Sequence, residues 1–119
     1  MSTYQLVNLT PHPVTLRGRM YQPSGSVARL EERGHVRWIQ EGRLRGKIPY
    51  RVVDDYTITN LPEPTDEKII YMVSRPVAQA AKRPDVAALD KFVRDWRGLV
   101  IGAEGLVTFS AEGEENNGK

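Results

Sequence analysis

The apolar residues of this sequence occur in short stretches that alternate with polar residues and end at turn-forming residues. Alternation with a period of two is typical of half-buried β-strands, because successive side chains of a strand point to opposite faces of the sheet. In the first half of the chain this pattern predicts strands at residues 4–9, 14–17, 26–30, 34–40, 48–53 and 56–59. Proline-rich or glycine-rich loops are predicted between them, at residues 10–13, 21–26 and 42–47.

One strand followed by one helix stands out in the second half of the chain. Residues 68–73 (KIIYMV) form a nearly continuous apolar run, which predicts a strand buried on both faces. Ser74 is a helix-capping residue, and Pro76 is tolerated in the first turn of a helix. Because Pro84 ends the alanine-rich segment that follows, one short helix is predicted at about residues 75–83. Further strands are predicted at residues 91–95, 99–101 and 106–109.

These elements together predict an α+β fold. We expect a mostly antiparallel, twisted sheet or partly open barrel of six to eight short strands, with one short helix. The length suits a single domain, which we place at residues 1–110. Residues 111–119 (AEGEENNGK) hold too few apolar side chains to offset the entropy of ordering, so they are expected to form a disordered acidic tail.

The composition excludes several classes of site. The sequence has no cysteine, which rules out disulfides, iron–sulfur clusters, thiolate zinc sites and cysteine nucleophiles. No apolar run is long enough to span a bilayer, so no membrane partner is expected. The first ten residues lack the basic start and apolar segment of a signal peptide, which predicts a cytoplasmic protein.

The net charge of +2 hides an uneven distribution along the chain. Residues 1–51 hold nine Lys and Arg against three Asp and Glu, whereas residues 52–110 hold seven against nine. The basic residues are concentrated in residues 29–51. Such a segment is either a solvated arginine-rich surface or a site that attracts an anionic partner.

Ser74 and Arg75 form the first candidate site. They follow a predicted buried strand at the start of the predicted helix, where backbone N–H groups and a guanidinium could bind phosphate or carboxylate. The alternative is that Ser74 only caps its own helix and Arg75 is solvated.

His12 is the second candidate, because two prolines hold it in a rigid turn that could present its imidazole to a ligand. The other histidine, His35, lies 23 residues away, so no metal-binding spacing is present. Ser74 and Ser110 have no histidine or lysine at a spacing typical of a nucleophile pair. The residues therefore favour a binding protein over an enzyme, with no catalytic residue, metal or cofactor expected.

The basic segment at residues 29–51 is the third candidate, since arginines bind phosphates and exposed aromatic side chains stack on bases. Trp38 fits an exposed position or a core position equally well. The residues that would contact a nucleic acid or a partner protein are Arg37, Trp38, Arg43, Arg45 and Lys47.

Several short motifs are spread along the chain: NLTPHPV at residues 8–14, LPEP at 61–64, YMVS at 71–74 followed by VAQA at 77–80, and VRD at 93–95 followed by Gly98 and VIG at 100–102. Together they resemble a family of small proteins that is common in bacteriophages, prophages and actinobacterial genomes. The resemblance covers nearly everything but residues 111–119. The chain departs from the family at residues 87–90, where members often carry a Pro-Gly turn, and at residues 29–47, which are longer and more basic than usual.

The resemblance implies a phage-type accessory or host-takeover protein that acts in the host cytoplasm. It also implies that the shared polar loops converge on one anionic, nucleotide-like small molecule, such as a host immune signal that the protein sequesters. The ligand-binding residues would then be His12 for a base, Ser74, Arg75 and Arg94 for phosphate, and Asp95 for a ribose hydroxyl or for orienting Arg94. Two structural alternatives stand beside this one: NLTP also fits an Asx turn, and Arg94–Asp95 also fits a surface ion pair.

The predicted function is thus a non-enzymatic binding module for an anionic, nucleotide-like small molecule. The alternative is an inhibitor that binds a host protein or a nucleic acid through residues 29–51. Both are compatible with a homo-oligomer.

Overall fold

Eight strands and one short helix make up residues 3–110, which are the residues that the computed structural model describes. The elements are β1 (Gln5–Asn8), β2 (Val14–Leu16), β3 (Arg19–Tyr21), β4 (Arg29–Ile39), β5 (Ile48–Thr59), β6 (Ile69–Met72), α1 (Arg75–Ala81), β7 (Val86–Arg94) and β8 (Val100–Val107). The prediction of a mainly β fold with one short helix is confirmed. The predicted acidic tail, residues 111–119, lies outside the described residues.

Six of the strands form one sheet in the order β1-β6-β7-β8-β2-β3. Its pairing is mixed rather than mostly antiparallel, because β6 pairs in parallel with both β1 and β7. Parallel neighbours need a crossover connection, and α1 forms part of the connection from β6 to β7. An isolated bridge between Asn8 and Pro23 brings the chain after β3 back beside β1, so the sheet curls into a nearly closed barrel.

The core surrounds β6, β7 and α1. Tyr71, Met72 and Val73 are all buried, which confirms the prediction that this strand is covered on both faces. Tyr71 and Val73 belong to the apolar cluster that includes Val77 of α1, whereas Met72 points to the opposite face. The apolar run in the sequence therefore predicts the centre of the fold correctly.

The helix α1 ends at Ala81, two residues before the predicted end. Lys82 adopts the left-handed conformation, with φ of 53°, and its backbone N–H donates to the carbonyl of Ala78. This arrangement closes the last turn and directs the chain toward β7.

The strands β4 and β5 form a separate two-stranded ribbon, which we call the arm (residues 29–59). The pairing runs from Arg29 opposite Thr59 at the base to Ile39 opposite Ile48 at the tip. Eleven residues of extended chain span about 35 Å. The arm makes the molecule elongated: its radius of gyration is 18.1 Å, against about 13 Å for a compact domain of this size.

A β-bulge bends the arm near its middle. Arg33 pairs with Asp55 and Gly34 pairs with Val53, so Asp54 is the extra residue on β5. A Cβ atom on Gly34 would clash with the backbone carbonyl of Val52, which explains why glycine occupies this position. Where the sequence predicted four short strands, the structure has two long strands with one irregularity.

Candidate functional site

Asn8 organises the turn that follows β1. Its side chain is 2% exposed. The amide oxygen Oδ1 accepts hydrogen bonds from the backbone N–H of Thr10 at 2.9 Å and from the Thr10 hydroxyl at 2.7 Å. The amide nitrogen Nδ2 donates to the carbonyls of His12 and Tyr21, both at 2.9 Å. The first motif of the sequence therefore forms an Asx turn, and Asn8 was not among the predicted site residues.

His12 takes part in this turn through its backbone carbonyl, which also accepts a hydrogen bond from the Thr10 hydroxyl at 2.9 Å. The residue is exposed. Within residues 3–110, its imidazole makes no recorded hydrogen bond or ion pair. In the sequence, an Asn followed two residues later by a Thr predicts this turn. The pattern does not indicate that His12 binds a ligand.

Ser74 and Arg75 lie at the start of α1, as the sequence predicts. Ser74 is exposed and occupies the N-cap position, where its carbonyl accepts the first helical hydrogen bond from the N–H of Ala78, but its hydroxyl makes no capping hydrogen bond. The Arg75 guanidinium lies over the ring of Phe109, 5.4 Å from its centroid. With only seven residues and a proline in its first turn, α1 offers few free N–H groups to an anion.

Two surface grooves meet at Ser74. Groove 1 has a volume of about 540 Å³ and lies between the base of β4, the turn after β1 and the start of α1. Groove 2 has a volume of about 220 Å³ and is mostly apolar. The charged residues of groove 1 are Arg29, Glu31 and Glu32, and groove 2 contains only Arg75. Neither groove gathers the several cations that a nucleotide phosphate group would favour.

Arg94 and Asp95 lie at the turn between β7 and β8. Arg94 donates from Nη1 to the carbonyl of Gly98 at 2.8 Å. The Asp95 Oδ1 atom accepts hydrogen bonds from the N–H groups of Arg97 and Leu99, at 2.8 and 3.0 Å. Both side chains therefore stabilise their own turn.

Of the five predicted ligand-binding residues, Ser74 and Arg75 line groove 2, whereas His12, Arg94 and Asp95 line neither groove. Phe92 of β7 also lines groove 2, and Arg94 follows it by two residues, about 7 Å along an extended strand. The predicted convergence of the polar loops on a single ligand stays a prediction.

The Asp95 carboxyl group has a pKa below its ordinary value of 3.8. Burial acts most strongly and raises the pKa, but it is outweighed by the Leu99 N–H, the Arg97 side chain and the N–H groups of Arg97 and Gly98, which all favour the charged form. The stabilisation that this carboxylate gives is present above the ordinary pKa and is lost as the pH falls through the lower pKa of the folded state.

We expect an NMR titration of the side-chain carboxyl carbon to place the midpoint of Asp95 below 3.8. Arg97→Ala should raise that midpoint, because the variant removes the guanidinium that donates to Asp95 Oδ2 at 3.0 Å. A midpoint at or above the ordinary value in the unmodified protein would contradict this description of the turn.

Some charges of the arm are paired and others are not. Arg33 pairs with Asp55 at 2.7 Å, and Arg51 pairs with Glu32 at 3.0 Å. At the far end, Arg43 pairs with Glu41 at 2.9 Å. No ion pair or side-chain hydrogen bond within the described part of the chain involves the other cations of the arm, which are Arg29 at the base and Arg37, Arg45 and Lys47 nearer the tip. Residues 37–47 hold four cations and one acid, a net charge of +3.

Apolar side chains are also exposed on the distal half of the arm. Trp38 is 61% exposed, which decides between the two positions that the sequence allowed. Its neighbours Val36 and Ile39, together with Leu44 and Tyr50, are exposed as well. A surface that is both basic and apolar on an element projecting from the body is typical of a binding surface.

Within residues 3–110, no helix is long and apolar enough to cross a membrane, and no three acidic or histidine side chains are grouped to hold a metal ion. A scan of protein-family models found no match to the chain, and neither did searches of curated proteins and of solved structures.

Proposed function

We propose that the protein binds nucleic acid through the tip of the arm, in the loop at residues 40–47 and the strand ends beside it. The observation that carries this proposal is the set of unpaired cations near the tip, held about 35 Å from the base of the ribbon. In the phage or prophage setting that the resemblance implies, such a protein would act as an inhibitor or accessory factor on host or phage nucleic acid.

The dimensions and charge of the arm both support nucleic acid as the partner. A two-stranded β-ribbon fits the major groove of B-form DNA, which is about 12 Å wide. Arg43, Arg45 and Lys47 all lie in the exposed loop, where they can reach phosphate groups without moving the body of the protein. Arg37 adds a fourth cation on β4.

The grooves are less suited to an anionic ligand than the arm. The charged residues of groove 1 carry a net charge of −1, from Arg29, Glu31 and Glu32. A nucleotide-like small molecule bound beside Ser74 stays a prediction from the sequence and its resemblance.

The test is the salt dependence of binding to a fluorescently labelled DNA duplex, measured by anisotropy for two matched double variants. Arg45→Gln/Lys47→Gln removes two unpaired charges from the tip, and Arg17→Gln/Arg19→Gln removes two charges from the β2–β3 turn on the body. Each phosphate contact contributes about 0.9 to the slope of log affinity against log salt. The tip variant should lower that slope by about 2, and the body variant should leave it unchanged.

Over a fourfold increase in salt concentration, a slope difference of about 2 makes the unmodified protein lose roughly tenfold more affinity than the tip variant. The proposal would be contradicted if the tip and body variants lowered the slope of log affinity against log salt equally, or if binding did not depend on salt. Binding to an acidic protein with no binding to DNA or RNA would assign the same tip to a protein partner instead.

A further inference from the structure

The outer edge of strand β4 is open. Among residues 3–110, β4 pairs only with β5, so one side of an eleven-residue strand presents unpaired N–H and C=O groups. Proteins usually protect such an edge with a proline or a bulge. The strand β5 has both, in Pro49 and the extra residue Asp54, whereas β4 has neither. The edge of β4 is therefore the one that can accept another strand.

Groove 1 runs along this edge at the base of the arm. One of its walls is formed by six consecutive residues, 27–32. A groove on one face of a strand would be lined by alternate residues, because neighbouring side chains point in opposite directions. The consecutive lining shows that the groove follows the edge. Because the Ala28 N–H already donates to the carbonyl of Leu9, the open part of this edge begins at Arg29, and residues 29–32 span about 13 Å, enough for four residues of extended chain.

A segment of this same chain has the properties needed to fill the groove. Residues 36–39 (VRWI) are all exposed and already extended in β4. Three of the four side chains are apolar, and the fourth, Arg37, has no ion-pair partner within the described residues. In the groove, Glu31 is likewise without an ion-pair partner there.

We propose that two copies of the protein form a symmetric dimer in which their β4 strands pair antiparallel about Gly34, so that residues 36–39 of each copy lie in groove 1 of the other. This register places Glu31 opposite Arg37 of the second copy and Leu30 opposite Trp38 of the second copy. Opposite charges and apolar pairs at facing positions stabilise antiparallel strands. The two-fold axis relates the pairs, so each favourable contact occurs twice.

The dimer forms a four-stranded sheet from two arms, and an isolated two-stranded ribbon is only marginally stable in water. The tip cations Arg43, Arg45 and Lys47 lie outside the paired segment. The dimer and the binding of nucleic acid are therefore separate proposals, and the dimer is tested with no nucleic acid present.

The experiment measures the mass of the full chain in solution by light scattering and its dissociation constant by sedimentation. The expected mass is twice 13.5 kDa. Arg37→Glu and Glu31→Arg should each raise the dissociation constant by about tenfold or more, because each replaces two attractive pairs with two repulsive ones. The double variant Glu31→Arg/Arg37→Glu restores opposite charges and should return the constant toward that of the unmodified protein.

Arg45→Glu is the matched control, since it makes the same charge change outside the paired segment and should leave the dissociation constant unchanged. A second readout uses Trp96→Phe, which leaves Trp38 as the sole tryptophan; its emission should shift to shorter wavelength as the dimer forms and buries it. A chain that stays monomeric at every concentration overturns the proposal, and so does a dimer that both single charge variants leave intact.

Discussion

Replacing Asn8 with alanine is expected to destabilise the protein by about 3 kcal/mol, because each buried polar group left without a partner costs about 1–3 kcal/mol. The variant removes the amide nitrogen that donates to the carbonyls of His12 and Tyr21, and it leaves the backbone N–H of Thr10 without its acceptor. The Thr10 hydroxyl has a single hydrogen, which Asn8 Oδ1 and the His12 carbonyl share, so in the variant it can still donate to His12.

The position of Asn8 in the sheet adds a second reason for a large effect. Asn8 ends β1, forms the bridge to Pro23, and accepts a hydrogen bond at its own carbonyl from the N–H of Ser24 at 2.9 Å. The side chain joins the first strand to Tyr21 at the end of β3, and the Asn8 backbone joins it to the segment after β3, where the sheet comes closest to closing into a barrel. Loss of the side chain should loosen this junction as a whole.

The measurement is the free energy of unfolding from urea denaturation, with Thr10→Val as the control. Valine removes the Thr10 hydroxyl but keeps the backbone N–H that Asn8 accepts, so this variant should cost about 1 kcal/mol. If Asn8→Ala costs no more than the control, the side chain is not the organising element of the turn.

The sequence predicted the centre of the fold because the signals there are local. A continuous apolar run at residues 68–73 and the capping and proline residues around it specify a buried strand and a short helix without reference to the rest of the chain. The parallel pairing of β1 with β6 was not predicted. The two strands are about sixty residues apart in the chain, and alternation of apolar residues does not indicate which strands pair.

The arm is a second part of the fold that the sequence could not place. Alternation at residues 34–40 indicates a strand, but it fits a core strand and a projecting ribbon equally well. Trp38 could therefore be assigned to a core or to a surface, and only its position beyond the body of the protein decides that it is exposed. Composition alone could show that residues 29–51 are basic, but it could not show that they form a projecting arm.

The candidate ligand residues were predicted from residue type and resemblance, and their partners in the structure are mostly local. Asp95 accepts from Arg97 and Leu99, and Gly98 has φ of 85°, which a tight turn needs. Aspartate followed three residues later by glycine is a turn signal in its own right. The VRD…G motif therefore has a structural explanation that does not require a ligand.

The second large effect is expected at Met72, where alanine should cost about 3 kcal/mol and lower the melting temperature by roughly 15 °C. Met72 is 1% exposed and lines groove 2 from the face of β6 that α1 does not cover, so its loss leaves a cavity that opens toward the groove. The matched control is Met20→Ala, the same chemical change at a side chain 58% exposed on β3, which should cost under about 0.5 kcal/mol. Thermal unfolding followed by circular dichroism measures both. Because the two variants delete the same atoms, the difference between their losses of stability measures the effect of burying the side chain. Equal losses of stability would mean that β6 is not the centre of the core.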